Sequence, residues 1–183
     1  MEKKELRKTI SSLKKQCPQE ERLNRSKTVI ANLESSPEYI EARNVLCYWS
    51  LPDEVNTHDL VTRAAASGKT VFLPVVNGDD LIIRQFTGLD EMHDGESYSI
   101  PEPKTGSREA SIDEIDLVIV PGVAFDREGG RMGRGKGFYD RLLSGSSVFK
   151  TGICFDFQLV ESVPKEPHDI LMDKVISETF SGR

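Results

Sequence analysis

The run Asp116-Leu-Val-Ile-Val120 constrains this chain more than any other segment. Successive side chains of a strand point to opposite faces of its sheet, so an unbroken aliphatic run needs apolar cover on both faces. That is the position of a central strand in a layered α/β domain, not of a sheet with one solvated face. The neighbouring segments fit such a domain. Leu6, Ile10 and Leu13 recur at helical spacing within residues 3–13, and Leu23, Val29, Ile30 and Leu33 predict a second helix after Pro18. Residues Asn44 to Trp49 read as a strand, and Asn56 or Thr57 can cap a helix over His58 to Ala66 that stops at Gly68. Thr70 to Val76 is a further strand, which the Asn77-Gly78 turn pairs with Leu81 to Phe86. Thr151 to Phe155 supplies another. Residues Leu89 to Ser111, polar and rich in Gly and Pro, predict a long loop with one short strand near Tyr98 to Ile100. Strands alternating with helices imply a largely parallel sheet.

At 183 residues the chain can bury a core without disulfides or a structural metal, and a single domain, 1–183, accounts for it. Hydrophobic residues at 37% and charged residues at 30% describe a globular chain with a well-solvated surface. The net charge of -6 argues against nucleic-acid or membrane-surface binding, which needs a basic face. No stretch approaches the roughly 20 apolar residues of a membrane span. The Lys-dense start, residues 1–15, lacks the apolar segment of a secretory signal, so a cytoplasmic protein is expected. Cys17, Cys47 and Cys154 are far apart and form no metal-ligand pair; they are expected as reduced thiols, with Cys47 and Cys154 acting as small buried hydrophobes.

Against this acidic background one basic segment stands out. After the Asp116 strand come Pro121-Gly-Val-Ala-Phe-Asp126 and then Gly129-Gly-Arg-Met-Gly-Arg-Gly-Lys-Gly-Phe-Tyr-Asp140, in which five glycines and three cations share twelve positions. Glycine lets successive backbone N–H groups converge on an anion, and Arg131, Arg134 and Lys136 add charge-assisted donors for phosphate oxygens. A short helix over Phe138 to Leu143 is expected to begin beside them. Neither familiar phosphate motif is complete. Gly130 to Lys136 satisfies G-x-x-x-x-G-K, but Gly137 stands where a P-loop needs Ser or Thr. A dinucleotide G-x-G-x-x-G begun at Gly133 needs glycine where Phe138 stands.

On these residues the chain resembles the 5-formyltetrahydrofolate cyclo-ligase family, also called methenyltetrahydrofolate synthetases, over nearly its full length. Further matches are Lys3-Lys-Glu-Leu-Arg7, Asp53-Glu54 after Trp49-Ser50, and Asp169 with Asp173; Met132 and Phe138 stand where the family usually has Leu and Tyr. The resemblance implies a three-layer α/β/α fold with a mostly parallel, Rossmann-like central sheet. It implies an ATP-dependent ligase that converts 5-formyltetrahydrofolate to 5,10-methenyltetrahydrofolate, ADP and phosphate, with Mg²⁺, acting as a monomer. By the same resemblance, Lys3, Lys4, Arg7 and the run Arg131, Met132, Gly133, Arg134, Gly135, Lys136, Gly137, Phe138 and Tyr139 would bind ATP. Trp49 and Glu54, with Arg134 to Phe138, would hold the folate. Arg134 and Lys136 would be catalytic, and Asp140 and Asp173 would associate with the metal, with Asp169 a third candidate. His58, His93 and His168 have no partner spacing and receive no role. Two other readings compete: a nucleotide or phosphorylated-metabolite binding module without ligase chemistry, and a sugar-phosphate isomerase or acyl-transferase relative that acts without ATP.

Overall fold

A computed structural model describes residues 2–96 and 99–183. In chain order its elements are helices α1 (Lys3–Gln16), α2 (Gln19–Glu34) and α3 (Pro37–Glu41), strand β1 (Asn44–Leu46), helix α4 (His58–Ala66), strands β2 (Thr70–Asn77) and β3 (Asp80–Gln85), and the short strands β4 (Met92–Asp94), β5 (Pro101–Pro103) and β6 (Glu109–Ala110). Then follow β7 (Leu117–Val120), β8 (Ala124–Asp126), β9 (Arg131–Met132), α5 (Phe138–Leu143), β10 (Phe149–Ile153), β11 (Leu159–Val160), β12 (Lys174–Ile176) and β13 (Ser181–Gly182).

Eight strands form one sheet in the order β13-β12-β10-β7-β1-β2-β3-β6. The pairings from β12 to β2 are all parallel, and antiparallel strands extend the sheet at both edges. Counted along the chain, the five parallel strands follow the doubly wound order 2-1-3-4-5. The order reverses between β1 and β7. In such sheets ligands settle in the crevice beyond the carboxyl ends of the strands at that point.

The aliphatic run of β7 divides between the two faces as its alternation requires. Leu117 and Ile119 pack with Val45, Val71 and the buried faces of α2 and α4, including Val29, Leu33, Leu60 and Val61. Val118 and Val120 pack on the other side with Phe72, Phe125, Leu143 of α5 and Val175. Asp116, just before the strand, accepts the Arg43 and Asn44 N–H groups at 2.9 and 2.8 Å, which ties the start of β1 to β7. A third cluster joins Leu6 and Ile10 of α1 to Ala124, Met132 and Val163, so α1 lies against a small sheet of order β11-β8-β9.

Several expected boundaries move. The strand expected over Asn44 to Trp49 pairs regularly only through Leu46, after which the Cys47 N–H bonds to Phe72 and the chain leaves the sheet. The strand expected at Thr151 begins at Phe149. Residues 89–111 are not a single loop: β4 pairs with β5, and β6 joins the edge of the main sheet through β3. Of the short strand expected near Tyr98 to Ile100, Tyr98 lies outside the described residues, and the pairing begins at Pro101. Before α4, Thr57 holds the cap position, yet its hydroxyl bonds to the Tyr48 carbonyl, while the Asn56 side chain accepts the His58 N–H at 3.2 Å. All three cysteines are free and buried, and burial pushes the Cys47 thiol up to about 12. Among the described residues no helix is long and apolar enough to cross a membrane.

Candidate active site

Where β1 and β7 part, a cavity of about 290 Å³ opens. Its walls carry Trp49, Leu51 and Glu54 from the segment after β1, and Pro121 and Gly122 after β7. Lys3 and Arg7 come from α1, and residues 131–140 form the remaining side. The glycine-rich basic segment is therefore a wall of the crevice that the sheet topology leaves open.

The loop is held from several sides. Gly137 takes a φ of 68° where the chain turns into α5, a left-handed conformation in which glycine has no Cβ to clash. Arg141, a residue that sequence reasoning passed over, donates to the Lys136 carbonyl at 2.9 Å and reaches the β2–β3 turn through Asp80 at 3.3 Å and the Asp79 carbonyl. Its guanidinium and the Lys136 ammonium both lie near the Phe138 ring, 5.5 and 5.7 Å from the centroid. Met132 is buried against Leu6 and Ile10, so it anchors the loop to α1. Arg7 donates to the Gly133 carbonyl through Nε and Nη2 at 3.4 and 3.3 Å. Tyr139 packs near Arg131, and burial raises its phenol well above the ordinary range.

The cations fall into different roles. Arg131 is buried: Nη1 donates to the Pro121 carbonyl and Nη2 to Asp140, both at 3.1 Å. It braces the cavity wall that it lines. Arg134, exposed at the mouth, puts its Nη2 at 2.7 Å from Asp53 and 3.2 Å from Glu54. Lys3 is clasped by Glu166 and Asp169, each at 2.7 Å. Lys4 is exposed and outside the cavity lining.

In the segment after β1, Trp49 stacks on His58 with ring centroids 4.0 Å apart and planes 9° from parallel. His58 Nε2 in turn lies 2.9 Å from the Ser50 carbonyl, so a histidine that received no role from its spacing fixes the aromatic platform. One oxygen of Glu54 accepts the Leu51 N–H at 2.9 Å and the other faces Arg134. Burial pushes the Glu54 carboxyl up in spite of both partners. The cavity thus joins an aromatic and acidic segment to a cationic, glycine-rich one, which meet where Glu54 faces Arg134.

A model of the 5-formyltetrahydrofolate cyclo-ligase family matches residues 1–178. This chain belongs to that family. It is similar to a 5-formyltetrahydrofolate cyclo-ligase of Escherichia coli, 34% identical over 148 residues, with 77% of this chain and 81% of the relative covered. A probable cyclo-ligase of Schizosaccharomyces pombe is 34% identical over 158 residues, covering 77% and 78%. The solved structure of an Aquifex aeolicus 5,10-methenyltetrahydrofolate synthetase superposes with a TM-score of 0.89 at 34% identity, covering 100% of this chain and 93% of the other. As a member of the cyclo-ligase family the chain is an enzyme, and its α/β fold with a mostly parallel sheet is that of the family's solved structures.

The residues expected around the metal are not all brought to the cavity. Asp140 lines the cavity, but its two oxygens accept from Arg131 and from the Ile170 N–H at 3.1 Å each. Asp173 is not brought to the cavity: Oδ2 accepts the Lys150 N–H at 2.8 Å and pairs with the Lys150 ammonium at 2.9 Å. Asp169, with Glu166 and His168, stands at the cavity edge, where the Lys3 ammonium already occupies the carboxylates. This donor set does not fit a hard, octahedral cation, which is more often carried on substrate phosphates than in an all-protein cage.

Proposed function

We propose that the cavity binds 5-formyltetrahydrofolate and ATP side by side and converts them to 5,10-methenyltetrahydrofolate, ADP and phosphate. The observation that carries this reading is the meeting of two unlike recognition walls at one switch point: Trp49 with Glu54, and Arg7, Arg134 and Lys136 on the glycine-rich segment. The first suits a flat, N–H-rich pterin, since a carboxylate accepts two N–H donors from an aminopyrimidine edge and an indole stacks on its face. The second suits a polyphosphate. A binding module would need only one of these walls, and an isomerase or acyl-transferase would not need the second beside the first.

The chemistry explains why both substrates share one cavity. A formamide oxygen is a poor leaving group, so direct attack by the folate N10 on the formyl carbon stalls. In the proposed sequence the formyl oxygen attacks the γ-phosphorus and ADP departs. N10 then attacks the activated carbon and gives up its proton, and the C–O bond breaks to release phosphate and leave the methenyl bridge. The chain contributes position and charge: Arg134 and Lys136 neutralise the transferring group while Trp49 and Glu54 hold the pterin. Arg7 and Lys3 complete the phosphate side from α1. We read the enzyme as a monomer, with the site drawn from one chain.

Purified protein mixed with 5-formyltetrahydrofolate and MgATP is expected to generate the absorbance of the methenyl product, with one phosphate released per product. Saturable ATP binding without product would favour the binding-module reading, and turnover without ATP would overturn the phosphoryl step.

A further inference from the structure

Before any substrate arrives, both oxygens of Glu54 are engaged. Oε2 accepts the Leu51 N–H at 2.9 Å, and Oε1 lies 3.2 Å from Arg134 Nη2. The same Arg134 nitrogen is closer to a second carboxylate, Asp53 Oδ1, at 2.7 Å. Asp53 is fixed from behind, because its Oδ2 accepts from the Lys14 ammonium at 2.9 Å and the Lys14 stem is buried in α1. Burial opposes ionisation of Asp53, yet Lys14 and Arg134 outweigh it and hold the carboxyl below the usual range. The arrangement is a bridge: one guanidinium nitrogen between a permanently anchored acceptor and the acceptor that faces the cavity.

That bridge has a consequence for two-substrate binding. A folate and a nucleotide that share a cavity of about 290 Å³ come up against the side chains at its mouth, Arg134 among them. A pterin edge that donates to Glu54 competes with Arg134 for Oε1, the oxygen that does not already accept from the Leu51 N–H. A guanidinium that loses one carboxylate acceptor turns to the next within reach. Asp53 is that acceptor, already at the shorter distance.

We propose that Asp53, anchored by Lys14, is a positioning residue: it draws the Arg134 guanidinium off Glu54, freeing that carboxylate for the pterin. This rests on the substrate reading given above. Without Asp53, Arg134 turns wholly to Glu54, and the folate has to break a stronger ion pair to bind.

The test uses Trp49, the single tryptophan of the chain and part of the cavity wall, as a fluorescent reporter of binding. Titration of Asp53→Asn with 5-formyltetrahydrofolate is expected to give a dissociation constant about tenfold weaker than the parent, with ATP affinity within about twofold. Asp53→Ser should behave alike, since it also removes the charge. The acid limb of kcat/KM for folate should move to lower pH in both, because Glu54 then has Arg134 to itself and loses the Asp53 charge beside it. Folate affinity within twofold of the parent, equal losses for both ligands, or an unmoved acid limb would each overturn the role. A parent protein that binds neither ligand would count against the substrate reading instead.

Discussion

Arg131 Nη2 lies 3.1 Å from Asp140 Oδ2, with 5% and 18% of the two side chains exposed, so the glycine-rich loop is closed by an ion pair shielded from water. Removing one partner strands the other charge in a poorly solvated place, which costs about 3 kcal/mol or more. Asp140→Asn, melted in a metal chelator, is expected to fall in Tm by roughly 6–12 °C, at about 2–4 °C per kcal/mol for a chain of this size. An unchanged melting point without metal would return Asp140 to a purely metal-binding role.

Lys136 presents the opposite case. It is exposed on the cavity wall, with its ammonium 5.7 Å from the Phe138 ring centroid. Lys136→Ala should lower kcat by roughly 10²–10³, the loss typical of removing one preorganised charge-stabilising donor, with a melting point close to the parent's. Normal turnover in this variant would remove Lys136 from the catalytic group.

The buried carboxyl of Glu54 titrates above the ordinary glutamate value of 4.5, burial being the leading cause. Only the ionised form accepts two N–H donors, so kcat/KM for folate should decline as pH falls through that raised pKa, at higher pH than an exposed glutamate would allow. The stability sign is the reverse. An acid with a raised folded pKa contributes stability below its unfolded pKa and loses it as pH rises through the folded one. Glu54→Gln should therefore melt no lower than the parent at neutral pH while its folate KM rises sharply. A large drop in melting temperature at neutral pH would contradict this.

Two glycines of the same segment should separate fold from function. Gly129 has a φ of 83°, and a Cβ built there meets the Met172 carbonyl oxygen at 2.3 Å, so Gly129→Ala must displace backbone. At Gly135, φ is 106° and the nearest atom to such a Cβ is Arg7 Nη2 at 3.5 Å. Gly129→Ala is expected to destabilise the fold by about 2 kcal/mol or more. Gly135→Ala adds only backbone strain at the cavity, so its larger effect should fall on ATP KM. Thermal melts paired with kinetics decide between the two.

Much of this was legible in the chain itself. The aliphatic run before Pro121 required a strand covered on both faces, and Leu117 with Ile119, and Val118 with Val120, provide one pair to each core cluster. The glycines and cations of residues 129–140 marked a segment most of which lines the cavity, and the resemblance named Trp49 and Glu54, which line it too. Spacing also located α1, α2, α4 and the β2–β3 hairpin, because each buries a stripe with a local period.

What the sequence did not disclose depends on distant partners. The pairings of β4 with β5 and of β8 with β9 and β11 occupy only two or three residues apiece, too few for a period to register. Nothing in the composition of the loop distinguishes Arg131 from Arg134; the fold buries one against Asp140 and leaves the other between Asp53 and Glu54. Likewise Asp140 and Asp173 look alike in sequence, but only Asp140 reaches the cavity. The sequence alone determined which residue types and local elements this protein has, because those follow from side-chain period and backbone freedom. Only the tertiary structure decided which charges meet, since an ion pair is set by the position of two elements in space and not by the distance between them along the chain.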